Sequence, residues 1–248
     1  MLSNEIIEFE RFTKREKRNS RRFSIWGYAI VFIAVFFITG SETRADSGAV
    51  IQADGASLMV AAIRDNHFEL VTRLINAGVD VNAALEDGFT VLMHAAMAGN
   101  PEIITALIDA GADVNAVSQH GFTALMVAMG NENLEIITAL IAAGADVNAV
   151  SQDGGTVLMV AVFFDNLEII DKLLAVGADV DAANSTGYTA LMVAALHDVH
   201  PDVTIALLDA GADARIRNNA GETALDIARD NTYLANSEAF RRLYEASF

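Results

Sequence analysis

The side chains that could do chemistry are few in this chain and are spread along its length. His197 and His200 flank Asp198, and imidazole and carboxylate groups are common zinc ligands. No fourth ligand accompanies these three residues. A metal-dependent activity that uses His197, Asp198 and His200 is therefore the alternative hypothesis, not the leading one. The five histidines are His67, His94, His120, His197 and His200.

Other patterns for catalysis or cofactor binding are missing from the sequence. Cysteine is absent, which excludes disulfides, thiolate metal sites and cysteine nucleophiles. Asp179 and Asp181 lack the twelve-residue spacing and the terminal Glu of a calcium loop. There is no Gly-x-Ser-x-Gly elbow, no phosphate-binding glycine loop and no dinucleotide fingerprint. We predict that the protein is not an enzyme and uses no cofactor.

The charges divide the chain into two regions of opposite sign. Seven of the sixteen Lys and Arg residues lie at or before Arg22. From Asp46 onward, 28 Asp and Glu stand against 8 Lys and Arg, a net charge of −20. Such a charge repels phosphate backbones and anionic lipids, so nucleic acid is excluded as a partner of this region.

An apolar stretch over residues 23–41 separates the two regions. It has no charged side chain, and it lacks the polar face that an amphipathic helix of a globular domain shows. We predict a hydrophobic helix that serves as a signal peptide h-region or a transmembrane anchor. The basic residues 1–22 are predicted to stay in the cytoplasm, so the acidic region is predicted to lie outside it.

Residues 42–49 are predicted to be a linker or a cleavage region. Thr43 and Ala45 are small residues at the two positions that a signal peptidase reads. Cleavage would release a periplasmic or secreted protein that begins at Asp46. Without cleavage, residues 23–41 would hold the protein in the membrane.

The rest of the chain repeats with a period of 33 residues. Two series of glycines mark the period, and the next member of each series, Gly211 or Gly221, comes one residue late. The single inserted residue falls in the stretch 196–201. A fixed period of this length predicts a stack of equal structural units. The two series are Gly78, Gly111, Gly144 and Gly177, and Gly88, Gly121, Gly154 and Gly187.

Each unit is predicted to contain two short helices. A threonine precedes the first apolar run and can accept a hydrogen bond from the first helical turn, as an N-cap does. In the second run, Ile103, Ile104, Leu107 and Ile108 form one apolar stripe, and Gly111 can end the helix in the left-handed conformation. The predicted N-caps are Thr90, Thr123, Thr156, Thr189 and Thr223.

This arrangement resembles the ankyrin repeat family, whose units read Gly-x-Thr-Pro-Leu-His, then a second helix, then Gly-Ala-Asp-x-Asn. Residues 111–115 and 144–148 match the closing motif in full. Val or Ala replaces the family's Pro, and Met replaces its His in four units. The resemblance places His67 where the family often has a histidine, and we interpret it as a capping or loop-bonding residue.

The resemblance covers residues 50–248 and implies an all-α fold. It implies a solenoid of stacked helix-turn-helix units with β-turn fingers, behind the one N-terminal hydrophobic helix. The expected units are 50–82, 83–115, 116–148, 149–181, 182–215 and 216–248.

The family's usual role implies a protein–protein interaction module with a concave binding face. Its contact positions are the finger tips and the exposed ends of the first helices. The aromatic residues among them are predicted to form a strip bordered by carboxylates, unless the rings pack between units. The acidic surroundings favour a partner with a basic or mixed surface, and no small-molecule substrate is expected. A structural spacer or an inhibitor of a partner protein is a further alternative. The predicted contact residues are Glu86, Asp87, Phe89, Met97, Gln119, His120, Phe122, Gln152, Asp153, Phe163, Phe164, Ser185, Tyr188, Leu196 and His197.

Overall fold

The computed structural model describes residues 55–85, 88–197, 199–235 and 237–248. The predictions for residues 1–54, including the hydrophobic helix, lie outside the described residues. Twelve α-helices form six consecutive pairs in the described ranges. They are α1 Gly55–Arg64, α2 Phe68–Asn76, α3 Val91–Ala98, α4 Pro101–Asp109, α5 Ala124–Ala128, α6 Leu134–Ala142, α7 Val157–Phe163, α8 Leu167–Ala175, α9 Ala190–Leu196, α10 Pro201–Asp209, α11 Ala224–Ala228 and α12 Glu238–Ala246.

The helices form two layers. In one layer each first helix of a pair packs against the first helix of the next, from α1 through α11. The second helices, α2 through α12, pack in the same order in the other layer. The predicted all-α class is confirmed, because the described residues contain two isolated β-bridges, Ala84–Thr90 and Val150–Thr156, and no strand.

The predicted threonine N-caps are confirmed. The Thr90 hydroxyl accepts a hydrogen bond from the Met93 N–H at 3.3 Å, and the other four threonines accept the equivalent bond. At Thr223 the Asp226 carboxylate also accepts from the Thr223 N–H, which completes a capping box. The capped helices begin in register, so the units stack with equivalent residues facing each other.

The core lies within and between the two layers. All six residues from Val91 to Ala96 of α3 are buried, so this internal first helix has no solvent-exposed face over most of its length. In the second layer, Ile103, Ile104 and Leu107 are fully buried, whereas Ile108 is half-buried. The predicted stripe is therefore correct at three of its four positions.

The second helices end as predicted. Gly111 has a φ of 90°, and its N–H donates to the Ile108 carbonyl at 2.9 Å. The Ala112 N–H donates to the Leu107 carbonyl at 2.9 Å, which completes a Schellman motif. A β-carbon at Gly111 would meet no atom within 4 Å, so the backbone angle, not space, favours glycine here.

The closing motif joins each unit to the next. The Asn115 side chain donates to the Gly144 carbonyl at 3.0 Å and accepts from the Asp146 N–H at 2.8 Å. The Asp113 carboxylate accepts from the Asn115 N–H at 2.9 Å and holds the turn in shape. Asn82 and Asn148 make the same two bonds to the unit that follows them.

Candidate partner-binding surface

The loops that precede the first helices form a row, which we call the finger row. Backbone hydrogen bonds join the tips of successive fingers. The Gln152 N–H donates to the His120 carbonyl at 2.8 Å, and the Ser185 N–H donates to the Asp153 carbonyl at 3.0 Å. The bonds fix the spacing of the tips, so a partner would meet a preorganised row rather than independent loops.

A glycine is required where each finger turns toward its helix. Gly121 has a φ of 77°, and a β-carbon at this position would lie 2.7 Å from the Gln152 backbone nitrogen. Real β-carbons do not approach backbone this closely, and L side chains rarely adopt this φ. The glycine series with the 33-residue step therefore marks the places where one finger approaches the next.

Polar residues lie at the tips of the finger row. Gln119, His120, Gln152 and Ser185 are exposed, and Asp153 is half-buried. These five predicted contact residues are therefore presented on neighbouring fingers. Glu86 and Asp87, which were predicted for the first tip, lie outside the described residues.

The predicted aromatic strip is wrong at Phe122. Its side chain is only 7% exposed, whereas an interface anchor must be reachable from solvent. The Ser118 hydroxyl accepts a hydrogen bond from the Phe122 N–H at 3.1 Å and shapes the turn at this position. Phe122 thus belongs to the packed interior of the stack.

The other two aromatic residues beside the finger tips are half-buried. The Phe89 ring lies 6.0 Å from the ring of His94, which is itself buried. Tyr188 is half-buried, and the Asn184 side chain accepts a hydrogen bond from its N–H at 2.9 Å. Each ring therefore keeps some surface while it packs against its own unit.

The predicted contact positions at the first-helix ends form a second row, at the end of each first helix away from its finger. Met97, Phe163, Phe164, Leu196 and His197 are all half-buried. The Phe163 ring stands nearly perpendicular to the Phe164 ring at 5.6 Å and to the His197 ring at 5.2 Å. This aromatic cluster spans two adjacent units, so its rings pack between units as well as reaching the surface.

His197 is held in its neutral form. Burial lowers the pKa of His197 to about 4, because a charged imidazolium would lose its hydration there. At neutral pH the ring therefore acts as an aromatic neighbour of Phe163.

His200 has a structural role in the loop before α10. Its Nδ1 atom accepts a hydrogen bond from the Asp202 N–H at 3.3 Å and caps the helix. The backbone N–H of His200 donates a hydrogen bond to the Asp165 carboxylate at 2.8 Å. Asp198 lies outside the described residues, and among those described no three metal-binding side chains gather into a possible site.

His67 lies at the N-cap of α2, but its side chain makes no capping hydrogen bond. The predicted position is correct; of the two predicted roles, capping is wrong and loop bonding stays a prediction. The Glu69 carboxylate lies in the first turn of this exposed helix, where the positive end of the helix dipole stabilises a negative charge.

Two exposed valines on the stems of the fingers are not among the predicted contact residues. Val117 is 60% exposed and Val150 is 55% exposed, one unit apart. The equivalent positions in the neighbouring units are Ala84 and Ala183. The larger apolar side chain at 117 and 150 is therefore the sequence feature that could have indicated an apolar contact site.

The surface charge of the middle units has one sign. Lys172 is the only Lys or Arg between residues 83 and 214. Exposed carboxylates lie in the first turns of the second helices and in the closing turns. They include Glu102, Glu135, Glu168, Asp202, Asp113, Asp146 and Asp179.

Comparison with known proteins agrees with this architecture. The geometry defines a helical repeat protein whose units each bind their neighbours through fingers and paired helices. A family model for ankyrin repeats in three copies matches residues 58–151 and 158–247, and the chain belongs to the ankyrin repeat family.

A solved ankyrin repeat domain from Acinetobacter baumannii AYE is similar to this chain. The two are 29% identical with a TM-score of 0.68, and the match covers 76% of this chain and 97% of the other. The search of curated proteins found no match. Ankyrin repeats imply a protein-interaction module, so the chain is placed in that functional class.

Among the described residues, no helix is both long enough and apolar enough to cross a bilayer. The apolar stretch 23–41 lies outside that range.

Proposed function

We propose that this protein binds a protein partner through the finger row and the adjacent first-helix ends, outside the cytoplasm. The observation that carries the proposal is the tied row of exposed tips at Gln119, His120, Gln152 and Ser185. A rigid row of polar tips beside half-buried aromatic rings offers both hydrogen bonds and apolar contacts to one partner. The protein acts in this proposal by binding and not by catalysis.

The partner is proposed to have a basic or mixed surface. Exposed carboxylates lie in the closing turns that lead into the fingers and at the starts of the second helices, and Lys172 is the only Lys or Arg between residues 83 and 214. A field of one sign steers an oppositely charged partner and raises its association rate, with a strong dependence on salt. The half-buried cluster at Phe163 and Phe164 is the proposed apolar contact, because Phe122 is buried.

Site-specific photo-cross-linking tests the binding surface. A photoreactive amino acid replaces His120 or Gln152 in the full chain, expressed in its native host. Both positions should cross-link the same protein, whereas Ala142 and Ala175, exposed on the second helices, should not. Equal yields from the finger row and from the second helices would overturn the proposed surface.

The proposed location rests on the sequence of residues 1–45. The basic n-region and the apolar stretch 23–41 support export with the repeats outside the cytoplasm. N-terminal sequencing of the native protein distinguishes release from anchoring, since cleavage after Ala45 leaves Asp46 first. Repeats that resist protease in intact spheroplasts would contradict export.

A further inference from the structure

The first described unit has an apolar face that none of the described residues covers. Leu58 is 42% exposed and Leu70 is 36% exposed, and Ala61 is exposed beside Leu58 on the same side of α1. Leu74, one turn after Leu70 on α2, is half-buried. We call these four residues the leading face.

The same positions are covered in the units that follow. Each residue of the leading face has a counterpart 33 residues later and again in the next units, and all of these counterparts are at most 3% exposed. For Leu58 they are Val91, Ala124, Val157 and Ala190, and for Leu70 they are Ile103, Ile136, Ile169 and Val203. In those units the preceding helix pair covers the position. The leading face therefore has the apolar composition of a contact between units and not the polar composition of an end unit.

The opposite end of the stack is adapted to water. Asp226 occupies the position that Met93, Met126, Met159 and Met192 fill in the internal units, where they are at most 1% exposed. Its carboxylate lies 3.3 Å from Arg229 and 3.9 Å from Arg217. A charged, paired side chain disfavours a further unit here, so the two ends of the stack differ.

Charged residues of both signs lie near the leading face. Residues 55–85 carry Arg64 and Arg73 against Asp65, Glu69 and Asp80, nearly a neutral balance. Among the described residues neither arginine forms an ion pair, whereas the four arginines of the last unit are all paired. Two copies would repel each other along their acidic middle units, but can meet at this end.

We propose that the leading face docks against the leading face of a second copy, in a two-fold dimer. A two-fold interface brings the same patch from both copies together, so the apolar residues cover each other. Glu69 and Arg73 are exposed next to Leu70 and Leu74 on α2, so side chains of opposite charge from the two copies can pair at the edge of this interface. The finger rows stay accessible, so the dimer would present two binding surfaces to partners.

The mass of the full chain in solution tests the dimer. The chain is purified in detergent, and its mass is measured by light scattering on a size-exclusion column. Leu58→Asp with Leu70→Asp should weaken the dimer about 100-fold or more, because both copies lose their central contacts. Tyr244→Asp with Phe248→Asp is the matched control, since it changes two exposed apolar residues at the other end and should leave the mass unchanged.

A charge reversal and a cysteine probe the geometry. Arg73→Glu alone should weaken the dimer about tenfold, and Glu69→Arg in the same chain should restore it, because the pairing is reciprocal. The natural chain has no cysteine, so Leu70→Cys introduces a single thiol. Under mild oxidation it should give a disulfide-linked dimer, whereas Val117→Cys should not.

A monomer of the natural chain at about 100 μM would overturn the proposal. So would a dimer that the Leu58→Asp and Leu70→Asp changes leave intact. Circular dichroism of the double variant confirms that its helices are formed.

Discussion

Single asparagine residues account for much of the contact between the closing turns of neighbouring units. Asn82, Asn115 and Asn148 each donate to a glycine carbonyl and accept from an aspartate N–H in the next unit. In the next unit Asp181 takes this place. Its carboxylate accepts from the Asp213 N–H at 2.8 Å, but it has no N–H to donate to Gly211.

We therefore expect Asp181→Asn to stabilise the protein. The amide would restore the missing donor and would remove one negative charge from an acidic surface, a gain of about 1 kcal/mol. Urea unfolding followed by circular dichroism measures the effect. Asn115→Asp is the reciprocal control and should cost a similar amount. An unchanged or lower urea midpoint for Asp181→Asn would contradict this account of the hydrogen bonds between the closing turns.

His197 gives the stability a pH dependence. Its pKa is lowered by burial to about 4 in the folded chain, so between about pH 6.5 and 4 only the unfolded chain takes up a proton at this residue. The free energy of unfolding should therefore fall as the pH drops through this window, by about 3 kcal/mol, and should not change above it on account of this group.

Unfolding in urea at a series of pH values checks the dependence. His197→Phe should flatten the slope between pH 6.5 and 4, since the equivalent position in the preceding unit is already Phe164. Carboxylates paired with arginine act at lower pH. The Arg215 side chain, for example, lowers the pKa of Asp213 by hydrogen bonding, so its contribution is lost only in more acidic solution. A slope in the variant as steep as in the natural chain would exclude His197 as its source.

At the scale of the helix, α10 has a polar defect in its buried stripe. Thr204 is fully buried, and its hydroxyl has no hydrogen-bond partner among the described residues. The equivalent residues of α4, α6 and α8 are Ile104, Ile137 and Ile170. An unpaired hydroxyl in an apolar seam is destabilising relative to a methyl group of the same size.

Thr204→Val should raise the stability by about 1 kcal/mol, because it replaces the hydroxyl with a methyl group and leaves the side-chain shape unchanged. Thermal and urea unfolding both report the change. Thr105→Val serves as the control, since Thr105 is exposed and its hydroxyl donates to the Pro101 carbonyl at 2.9 Å. A loss of stability in Thr204→Val would mean that the hydroxyl is bonded in solution.

The turns between paired helices also differ from unit to unit. Gly99 takes a positive φ of 79° at the end of α3, whereas Glu132 and Asp165 adopt φ values of 53° and 57° at the equivalent place. Such angles are strained for side chains with a β-carbon. Asp165 gains a compensating bond from the His200 N–H, which crosses to the next unit.

At the scale of the whole molecule, the charges are unevenly distributed along the stack. Residues 83–214 are acidic with the single cation Lys172, while Arg215 and the four arginines of the last unit are all in ion pairs. Like charges on neighbouring units repel one another across the surface. This repulsion is screened by salt over distances of about 10 Å.

Added NaCl should therefore stabilise the folded chain. Raising the concentration from about 0.02 to about 0.3 M should increase the unfolding temperature by a few degrees, because the acidic middle units repel each other less. Differential scanning fluorimetry gives the measurement, and an equal osmolarity of sorbitol is the control. A lower unfolding temperature in salt would show that ion pairs outweigh the repulsion.

The sequence alone determined the period, the helix starts and the helix ends. Thr90 caps the helix that follows it, and Gly111 ends the helix that precedes it. Both residues act through bonds to residues at most four positions away, so these signals are local and can be recognised along the chain. The 33-residue repetition then multiplied each signal, which made the stack predictable. Ankyrin-like motifs added the finger positions.

Only the tertiary structure decided which side chains are reachable. Phe122 is buried and Phe163 is half-buried, although both are aromatic residues at predicted contact positions. Leu58 and Val91 occupy the same place in their units, yet one is exposed and the other is covered. The physical reason is that exposure in a stack depends on the neighbouring unit, and a local pattern contains no information about whether that neighbour is present.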